Sequence, residues 1–169
     1  MAVLDATPLI YLASIDRLAL CDELATPPVT PEPVYEEVVT TGIEAGYPDA
    51  RRIERVVEEG VVAVVETPET RLFERLGGNS RLSEADAAVL AAAADRSEPA
   101  IVDDRYARVI ADAEGIETRG TTYVVLRSLR EGVIDADDAR TAIDGMVEAG
   151  WYCGTDLYAR ILRKIEELQ

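Results

Sequence analysis

Short apolar runs alternate with stretches of helical periodicity along most of the chain. The runs have the length of buried strands, and we predict strands at residues 2–4, 61–65, 100–102 and 116–118. Apolar residues three or four positions apart, several of them preceded by Thr, Ser or Pro, predict helices between the strands. The first helix is expected to begin near Pro8. The others are expected to cover residues 18–24, 30–41, 48–60, 84–94, 104–114, 121–130, 136–148 and 155–168. Residues 76–80 are expected to form a turn before the helix capped by Ser83.

Strands that alternate with helices are typical of α/β proteins with a parallel sheet. We therefore predict a three-layer α/β/α fold with a mainly parallel central sheet, and extra helices at the C-terminus. The length of 169 residues suits a single domain spanning residues 1–169. Ligands of such sheets bind at the carboxyl ends of the strands. Acidic residues that follow the strands are therefore the first candidates for function.

The composition excludes several classes of enzyme. The chain has 33 acidic and 17 basic residues, a formal net charge of −16, one lysine and no histidine. Without histidine, a Ser-His-Asp triad, a Cys-His nucleophile and a His-ligated zinc site are excluded. Without a basic excess, a conventional phosphate-neutralising surface is not expected. The acidity, and the use of arginine instead of lysine, favour adaptation to concentrated salt, with an ordinary acidic protein as the alternative.

Cysteine usage and the N-terminal residues indicate where the protein works. Cys21 and Cys153 are too few for a disulfide framework or a thiolate metal site, and we expect both to be reduced. The first residues lack the basic segment and the apolar run of a signal peptide. No uncharged apolar stretch of about 18 residues could span a membrane. We expect a cytoplasmic protein without a membrane partner.

Acidic residues follow two of the predicted strands. Asp5 follows the first strand, and Asp103 and Asp104 follow the strand at 100–102. If the two strands are neighbours in a parallel sheet, their ends lie about 4.8 Å apart. Converging carboxylates repel, and one must take up a proton unless a cation lies between them. Capping of the following helices is the alternative role for Asp5 and for Asp104.

Two further acids are expected on the inward faces of helices. Glu37 lies on the face of its helix that carries Val34 and Val38, and Asp86 lies on the face that carries Val89 and Leu90. Glu37 could instead be one of many solvated glutamates. Asp86 could instead complete a capping box with Ser83, a role that is compatible with ligation.

Four short motifs, in order, resemble those of PIN domains. A strand-end aspartate is followed two residues later by threonine, and the other three motifs each carry acids. The later RGT, GWY and LY segments, at 119–121, 150–152 and 157–158, are most similar to an uncharacterised prokaryotic branch related to VapBC-type toxin ribonucleases. By motif, the resemblance covers residues 1–127, with an added helical extension at 128–169. The motifs are VLDATPLI at 3–10, VYEEV at 34–38, LSEADAAVL at 82–90 and IVDDRYAR at 101–108.

The resemblance implies a metal-dependent ribonuclease that hydrolyses RNA phosphodiester bonds with Mg²⁺ or Mn²⁺. It also implies a toxin role with a small antitoxin protein as partner, and a homodimer. The implied catalytic acids are Asp5, Glu37, Asp86 and Asp104, and the implied metal ligands are Asp5, Asp86, Asp103 and Asp104. Asp103 is an extra or substitute ligand, because the register of the last motif is ambiguous by one residue. Thr7 and Thr121 are the implied supporting hydroxyls.

Three arginines lie close to the acidic motifs in the sequence. Arg105 and Arg108 follow Asp104 in the predicted helix, and Arg119 lies near another strand end. Arginine can bind phosphate through two parallel hydrogen bonds. We expect these side chains to contact RNA phosphates, pairing with surface acids being the alternative.

Other functions compete with the nuclease hypothesis. A catalytically silent PIN-like binding or regulatory module would keep the fold without turnover. A response-regulator receiver needs a lysine at a strand end, but Lys164 lies in the terminal helix, and no glycine-rich phosphate loop with its lysine is present. Leu18, Leu20 and Leu24 could form a groove for a partner helix, although a place in the core is the more ordinary role for them.

Overall fold

Five short parallel strands form one sheet at the centre of the protein. The computed structural model describes residues 2–22 and 27–169. The strand order is β3-β2-β1-β4-β5, and every neighbouring pair is parallel. This confirms the predicted α/β fold with a parallel sheet. The strands are β1 Val3–Leu4, β2 Val29–Pro31, β3 Ala63–Val65, β4 Ala100–Ile101 and β5 Thr118–Arg119.

Helices connect the strands and pack on the sheet. The helices are α1 Ala6–Ser14, α2 Glu32–Tyr35, α3 Gly42–Glu44, α4 Pro48–Glu58, α5 Arg71–Gly77, α6 Glu84–Arg96, α7 Arg105–Ala113, α8 Thr122–Arg130, α9 Ala136–Glu148 and α10 Thr155–Glu167. Helix α1 packs against α4, and α6 packs against α2 and α5. A π-helical turn, Glu36–Thr41, joins α2 to α3 without a break, and a 3₁₀-helix covers Leu18–Cys21.

Part of the core lies between the sheet and the alanine-rich helix α6. Leu4 and Ile101 of the central strands are completely buried. Residues 87–93 of α6 are also buried, and five of these seven are alanines. Small side chains let the helix approach β1, β2 and β4 closely. The start of α6, which carries Asp86, is thereby held near the carboxyl ends of these strands.

The C-terminal helices pack on the first half of the chain. Helix α8 contacts the 3₁₀-helix, α9 and α10, and α9 contacts α1.

Arg52 of α4 donates a hydrogen bond of 2.8 Å to the carbonyl oxygen of Ala13 and so caps the end of α1. Within the described residues, no helix combines the length and the apolar character needed to cross a membrane.

Three predictions about local structure are wrong. Strand β2 occupies the start of the segment that we expected to be a helix from Thr30, and α5 replaces the start of the expected turn at 76–80. The segment expected to be a helix at 18–24 is a 3₁₀-helix from Leu18 to Cys21, and Leu24 lies outside the described residues. Leu18 and Leu20 are 4% and 6% exposed, so they belong to the core and do not line an open groove.

Candidate active site

The carboxyl ends of β1, β4 and β5 meet at one edge of the sheet. Leu4 of β1 pairs with Ile101 of β4, which pairs with Arg119 of β5. Beyond these pairs, the Asp5 amide donates to the Ile101 carbonyl at 3.2 Å, and the Val102 amide donates to the Arg119 carbonyl at 2.8 Å. The strand order reverses between β1 and β4, which is where parallel sheets bind their ligands.

Asp5 is the buried centre of an acidic cluster. Its side chain is 5% exposed, and the pKa of its carboxyl group is raised from 3.8 to about 7, chiefly by burial. The negative charges of Asp86, Glu37 and Asp103 contribute to this rise in pKa, and an interaction with the Ala6 amide opposes it. Three acids from three other segments of the chain therefore act on Asp5.

The position of Asp5 is determined by the strand and not by capping of helix α1. Its backbone occupies the N-cap position of α1, but its side chain makes no capping hydrogen bond there. The completely buried Thr30 of β2 donates a hydrogen bond of 3.0 Å from Oγ1 to the carbonyl oxygen of Leu4. This bond ties β1 to β2 immediately before Asp5, and so fixes the direction in which the chain leaves the sheet.

Asp103 is held by hydrogen bonds from two other segments. Its Oδ1 accepts a bond of 2.8 Å from the Thr121 amide, and its Oδ2 accepts a bond of 2.7 Å from the Thr121 hydroxyl. The indole Nε1 of Trp151 donates a second bond of 2.7 Å to Oδ2. Thr121 is completely buried. The predicted hydroxyl of Thr121 therefore lies at the Asp103 carboxylate.

Asp104 is the N-cap of helix α7. Its Oδ1 accepts a hydrogen bond of 2.7 Å from the Ala107 amide. The acids that raise the pKa of Asp5 include Asp103 but not Asp104. Of the two registers left open by the sequence, the structure favours Asp103 in the site and Asp104 as the helix cap.

Asp86 has two roles at the start of α6. It forms a reciprocal capping box with Ser83, with hydrogen bonds of 2.9 and 3.0 Å. It is half-buried, and its charge raises the pKa of Asp5. The capping role anticipated for Asp86 is therefore present together with its proximity to the cluster.

Glu37 reaches the cluster from a π-helical turn. We expected it on the inward face of a regular α-helix, but its side chain is exposed. The turn widens the helix around Glu37 while Val38 and Val39 remain buried. Single π-turns occur frequently at functional sites. Thr7, the other predicted hydroxyl, is half-buried in the first turn of α1, two residues after Asp5.

Comparison with known families identifies the fold family. A family model described as a PIN domain matches residues 1–167. The chain belongs to the PIN-domain family. This confirms the resemblance seen in the four motifs. Curated proteins include none that matches this chain. PIN domains are generally nucleases and typically use divalent metals, so membership supports a nuclease-type function.

The arginines of this PIN domain differ in their surroundings. Arg105 and Arg108 are exposed on α7. Arg108 Nη1 would lie 3.7 Å from a Cβ atom at Gly120, and Asp103 Oδ1 would lie 3.1 Å from it, so Arg108 is near the cluster. Arg119 pairs with Glu117, and its guanidinium lies 5.7 Å from the ring centroid of Tyr123.

Two further contacts near the site have no counterpart among the residues predicted from the sequence. Trp151 was noted only as part of a motif, and its bond to Asp103 spans 48 residues. Arg81 stacks on the ring of Tyr106, with its guanidinium carbon 3.7 Å from the ring centroid. Asn79 holds the same tyrosine through a hydrogen bond of 3.0 Å from Nδ2 to the hydroxyl oxygen. Neither contact leaves a local sequence signal, since each joins distant segments.

The acidic cluster suits a hard divalent cation in its chemistry. All four carboxylates offer oxygen ligands, which Mg²⁺ and Mn²⁺ prefer. A cation would also relieve the repulsion that raises the pKa of the buried Asp5. Among residues 2–22 and 27–169, no three acidic side chains are placed as a ready-made set of metal ligands.

Proposed function

We propose that this PIN domain is a metal-dependent ribonuclease that hydrolyses phosphodiester bonds of RNA. The observation that carries the proposal is the buried carboxyl group of Asp5, whose pKa is raised by burial and by the negative charges of Asp86, Glu37 and Asp103. A protein gains nothing in stability from such a cluster on its own, because burial and repulsion both oppose ionisation. The cluster is explained if the domain binds a cation there.

Asp5, Asp86 and Asp103 are the residues that would hold Mg²⁺ or Mn²⁺, with Glu37 binding directly or through water. A bound divalent cation supplies Lewis-acid chemistry, by lowering the pKa of water and stabilising negative charge on phosphate oxygens. Asp5 must be ionised for this role. With no histidine in the chain, an imidazole base is excluded.

The arginines near the site would bind and orient the RNA. Arg105 and Arg108 are exposed on α7, the helix that starts just after Asp103 and Asp104. Arg81 rests on Tyr106 of the same helix. Guanidinium groups hold phosphates in a fixed geometry through paired hydrogen bonds. We propose that these three arginines contact phosphates, and that Arg119, already paired with Glu117, contributes less.

The net charge of −16 opposes long-range attraction of RNA. In concentrated salt this repulsion is screened within about 3 Å at 1 M, so local contacts decide binding. We therefore propose that the enzyme works best at high salt. This behaviour would be unusual, because most proteins that bind nucleic acids lose affinity as salt rises.

The test is cleavage of a mixed-sequence RNA in KCl of molar concentration, with Mn²⁺, Mg²⁺ or chelator. We expect cleavage only with metal, and a loss of at least about 100-fold in Asp5→Asn, as for other groups that act directly in catalysis. Asp112→Asn is the control, since Asp112 is an exposed acid at the far end of α7. Metal binding without any cleavage would refute the nuclease proposal and favour a silent binding module.

The resemblance to prokaryotic toxin nucleases supports a finer proposal, a toxin that acts with a small antitoxin protein and as a homodimer. If it is right, expression of the wild-type chain arrests growth and expression of Asp5→Asn does not. Normal growth with soluble, active wild-type protein would contradict the toxin role and leave the nuclease proposal intact.

A further inference from the structure

Trp151 connects the C-terminal helices to the acidic cluster. It lies between α9 and α10, and its indole Nε1 donates a hydrogen bond of 2.7 Å to Oδ2 of Asp103. The side chain is buried, with 6% of the residue exposed. A buried indole N–H needs an acceptor, and here the acceptor is a carboxylate of the candidate site.

The backbone around Trp151 is anchored on two sides. The Trp151 amide donates to the carbonyl oxygen of Met146 at 2.9 Å, and so closes the end of α9. Gly150, with φ +101°, makes the turn that this closure requires. The hydroxyl of Tyr11 on α1 donates a bond of 3.2 Å to the Gly150 carbonyl oxygen. The indole is therefore held by elements that do not depend on Asp103.

A count of acceptor positions shows what the indole bond does to Asp103. An ionised carboxylate has four lone-pair positions, two on each oxygen. Oδ2 accepts from the Thr121 hydroxyl and from Trp151, which fills both of its positions. Oδ1 accepts one bond, from the Thr121 amide. One position, on Oδ1, remains open.

We propose that Trp151 is a positioning residue that fixes the Asp103 carboxylate so that only Oδ1 is presented to a divalent cation. This inference rests on the proposed metal-dependent function. It assigns to the C-terminal extension a direct part in forming the site. Loss of an outer partner of a metal ligand typically lowers metal affinity or activity by about 10–100-fold. We expect a weakening of about tenfold when the indole N–H is removed.

The first test uses the indole itself as a reporter. Trp151 is the one tryptophan of the chain, so ¹⁵N-labelled protein gives a single indole Nε1–H resonance. We expect Mg²⁺ to shift this resonance with saturation, Mn²⁺ to broaden it, and Asp103→Asn to move it without metal. A resonance that stays in place while Mg²⁺ binds, as measured by calorimetry, would overturn the proposal.

The second test compares variants by calorimetric titration with Mg²⁺. Trp151→Phe keeps an aromatic ring but removes the N–H donor, and we expect the dissociation constant for Mg²⁺ to rise about tenfold. Tyr152→Phe is the control, since Tyr152 is 89% exposed and adjacent in the chain. A folded Trp151→Phe protein with wild-type affinity would overturn the proposal.

A companion pair of variants tests the same carboxylate through its other partner. Thr121→Val removes the hydroxyl bond to Oδ2, whereas Thr121→Ser retains a hydroxyl. We expect weak Mg²⁺ binding in the first variant and recovery in the second. If Trp151→Phe does not fold, this pair and the indole resonance of the wild type decide the matter, and equal affinities in the pair would count against the proposal.

The outcomes separate this inference from the proposed function. Wild-type protein that binds Mg²⁺ but cleaves no RNA refutes the nuclease proposal, and the positioning role of Trp151 is then judged by affinity alone. Wild-type protein that binds and cleaves, with no effect of Trp151→Phe, refutes only the positioning role. Wild-type protein that binds no divalent cation refutes both.

Discussion

Asp103 and Asp104 are consecutive residues whose carboxylates face different parts of the protein. Asp103 accepts hydrogen bonds from Thr121 and Trp151, and its charge raises the pKa of Asp5. Asp104 accepts the Ala107 amide and caps α7. The chain turns from β4 into α7 at these two residues, so the first belongs to the site and the second to the helix.

This arrangement predicts that two neighbouring substitutions differ greatly in their effect on RNA cleavage. Asp103→Asn removes the charge that a cation would need and replaces one acceptor oxygen by a donor, so we expect cleavage of RNA to fall by at least about 100-fold. Asp104→Asn keeps a good cap, because asparagine caps helices about as well as aspartate, and we expect activity within about twofold. Cleavage rates and melting temperatures of both variants are the measurements. Greater loss in Asp104→Asn would reverse the assignment.

Glu36 and Glu37 offer a second matched pair. Both side chains are exposed in the π-helical turn, but only Glu37 is among the acids that raise the pKa of Asp5. We expect Glu37→Gln to lower cleavage by about 10-fold or more, as for a residue that contributes to the metal site from its margin. Glu36→Gln should leave the rate unchanged. Equal rates in the two variants would show that Glu37 belongs to the solvated surface.

The sequence alone predicted four of the five strands and the candidate acids, but not strand β2 or the hydrogen-bond partners of Asp103. Apolar runs ending in aspartate predicted β1 and β4 and placed Asp5 beside the 103–104 pair. Strand β2 was missed because Pro27 and Pro28 precede it and Pro31 is its last residue, and proline is unfavourable inside a sheet. The strand forms nevertheless, because these hydrogen bonds to its neighbours need no proline N–H. The Val29 amide donates to the carbonyl of Ala2, and the Pro28 carbonyl accepts from the Ala63 amide.

Choosing between Asp103 and Asp104 required the fold. A one-residue change of register is invisible to apolar periodicity, and both positions lie between a strand and a helix. Asp103 is distinguished by the hydrogen bonds that it accepts from Thr121, which follows the neighbouring strand β5, and from Trp151, which is 48 residues away. Such long-range hydrogen bonds have no local pattern in the sequence. The π-helical turn at Glu37 is a similar case, since it departs from the regular period on which the helix prediction depended.

The pKa of Asp5 predicts how the stability of the metal-free protein depends on pH. The folded-state pKa of about 7 lies above the ordinary value of 3.8, so the folded state binds this proton more tightly than the unfolded state. The stabilisation is complete below the ordinary value and is lost as pH rises through about 7. The loss is at most about 4 kcal/mol at pH 8.

Asp5→Asn removes this dependence. In chelator, we expect wild-type protein to melt at a lower temperature at pH 8 than at pH 5.5, and the variant to show a smaller difference. The chain has no histidine, so few other side chains titrate in this range. Addition of Mg²⁺ at pH 8 should stabilise the wild type and not the variant. Identical pH profiles of the two metal-free proteins would contradict a raised pKa at Asp5.

Gly120 lies next to Oδ1 of Asp103, the oxygen that keeps an open acceptor position. A Cβ atom at Gly120 would lie 3.1 Å from Asp103 Oδ1 and 3.7 Å from Arg108 Nη1. The first distance is tighter than an ordinary contact, and the carboxylate cannot easily move because Thr121 and Trp151 hold it. We therefore expect Gly120→Ala to weaken Mg²⁺ binding by about 10-fold, similar to the loss of an outer partner of a metal ligand.

The control is Gly77→Ala at the end of α5, where an added Cβ meets no atom within 4 Å. Neither Gly120 nor Gly77 has a left-handed backbone, so neither alanine strains the chain. Both proteins should fold, and their stabilities should change by no more than about 1 kcal/mol. The effect of Gly120→Ala must therefore arise at Oδ1. Unchanged Mg²⁺ affinity in Gly120→Ala would mean that the carboxylate shifts freely, contrary to the rigid presentation by Thr121 and Trp151.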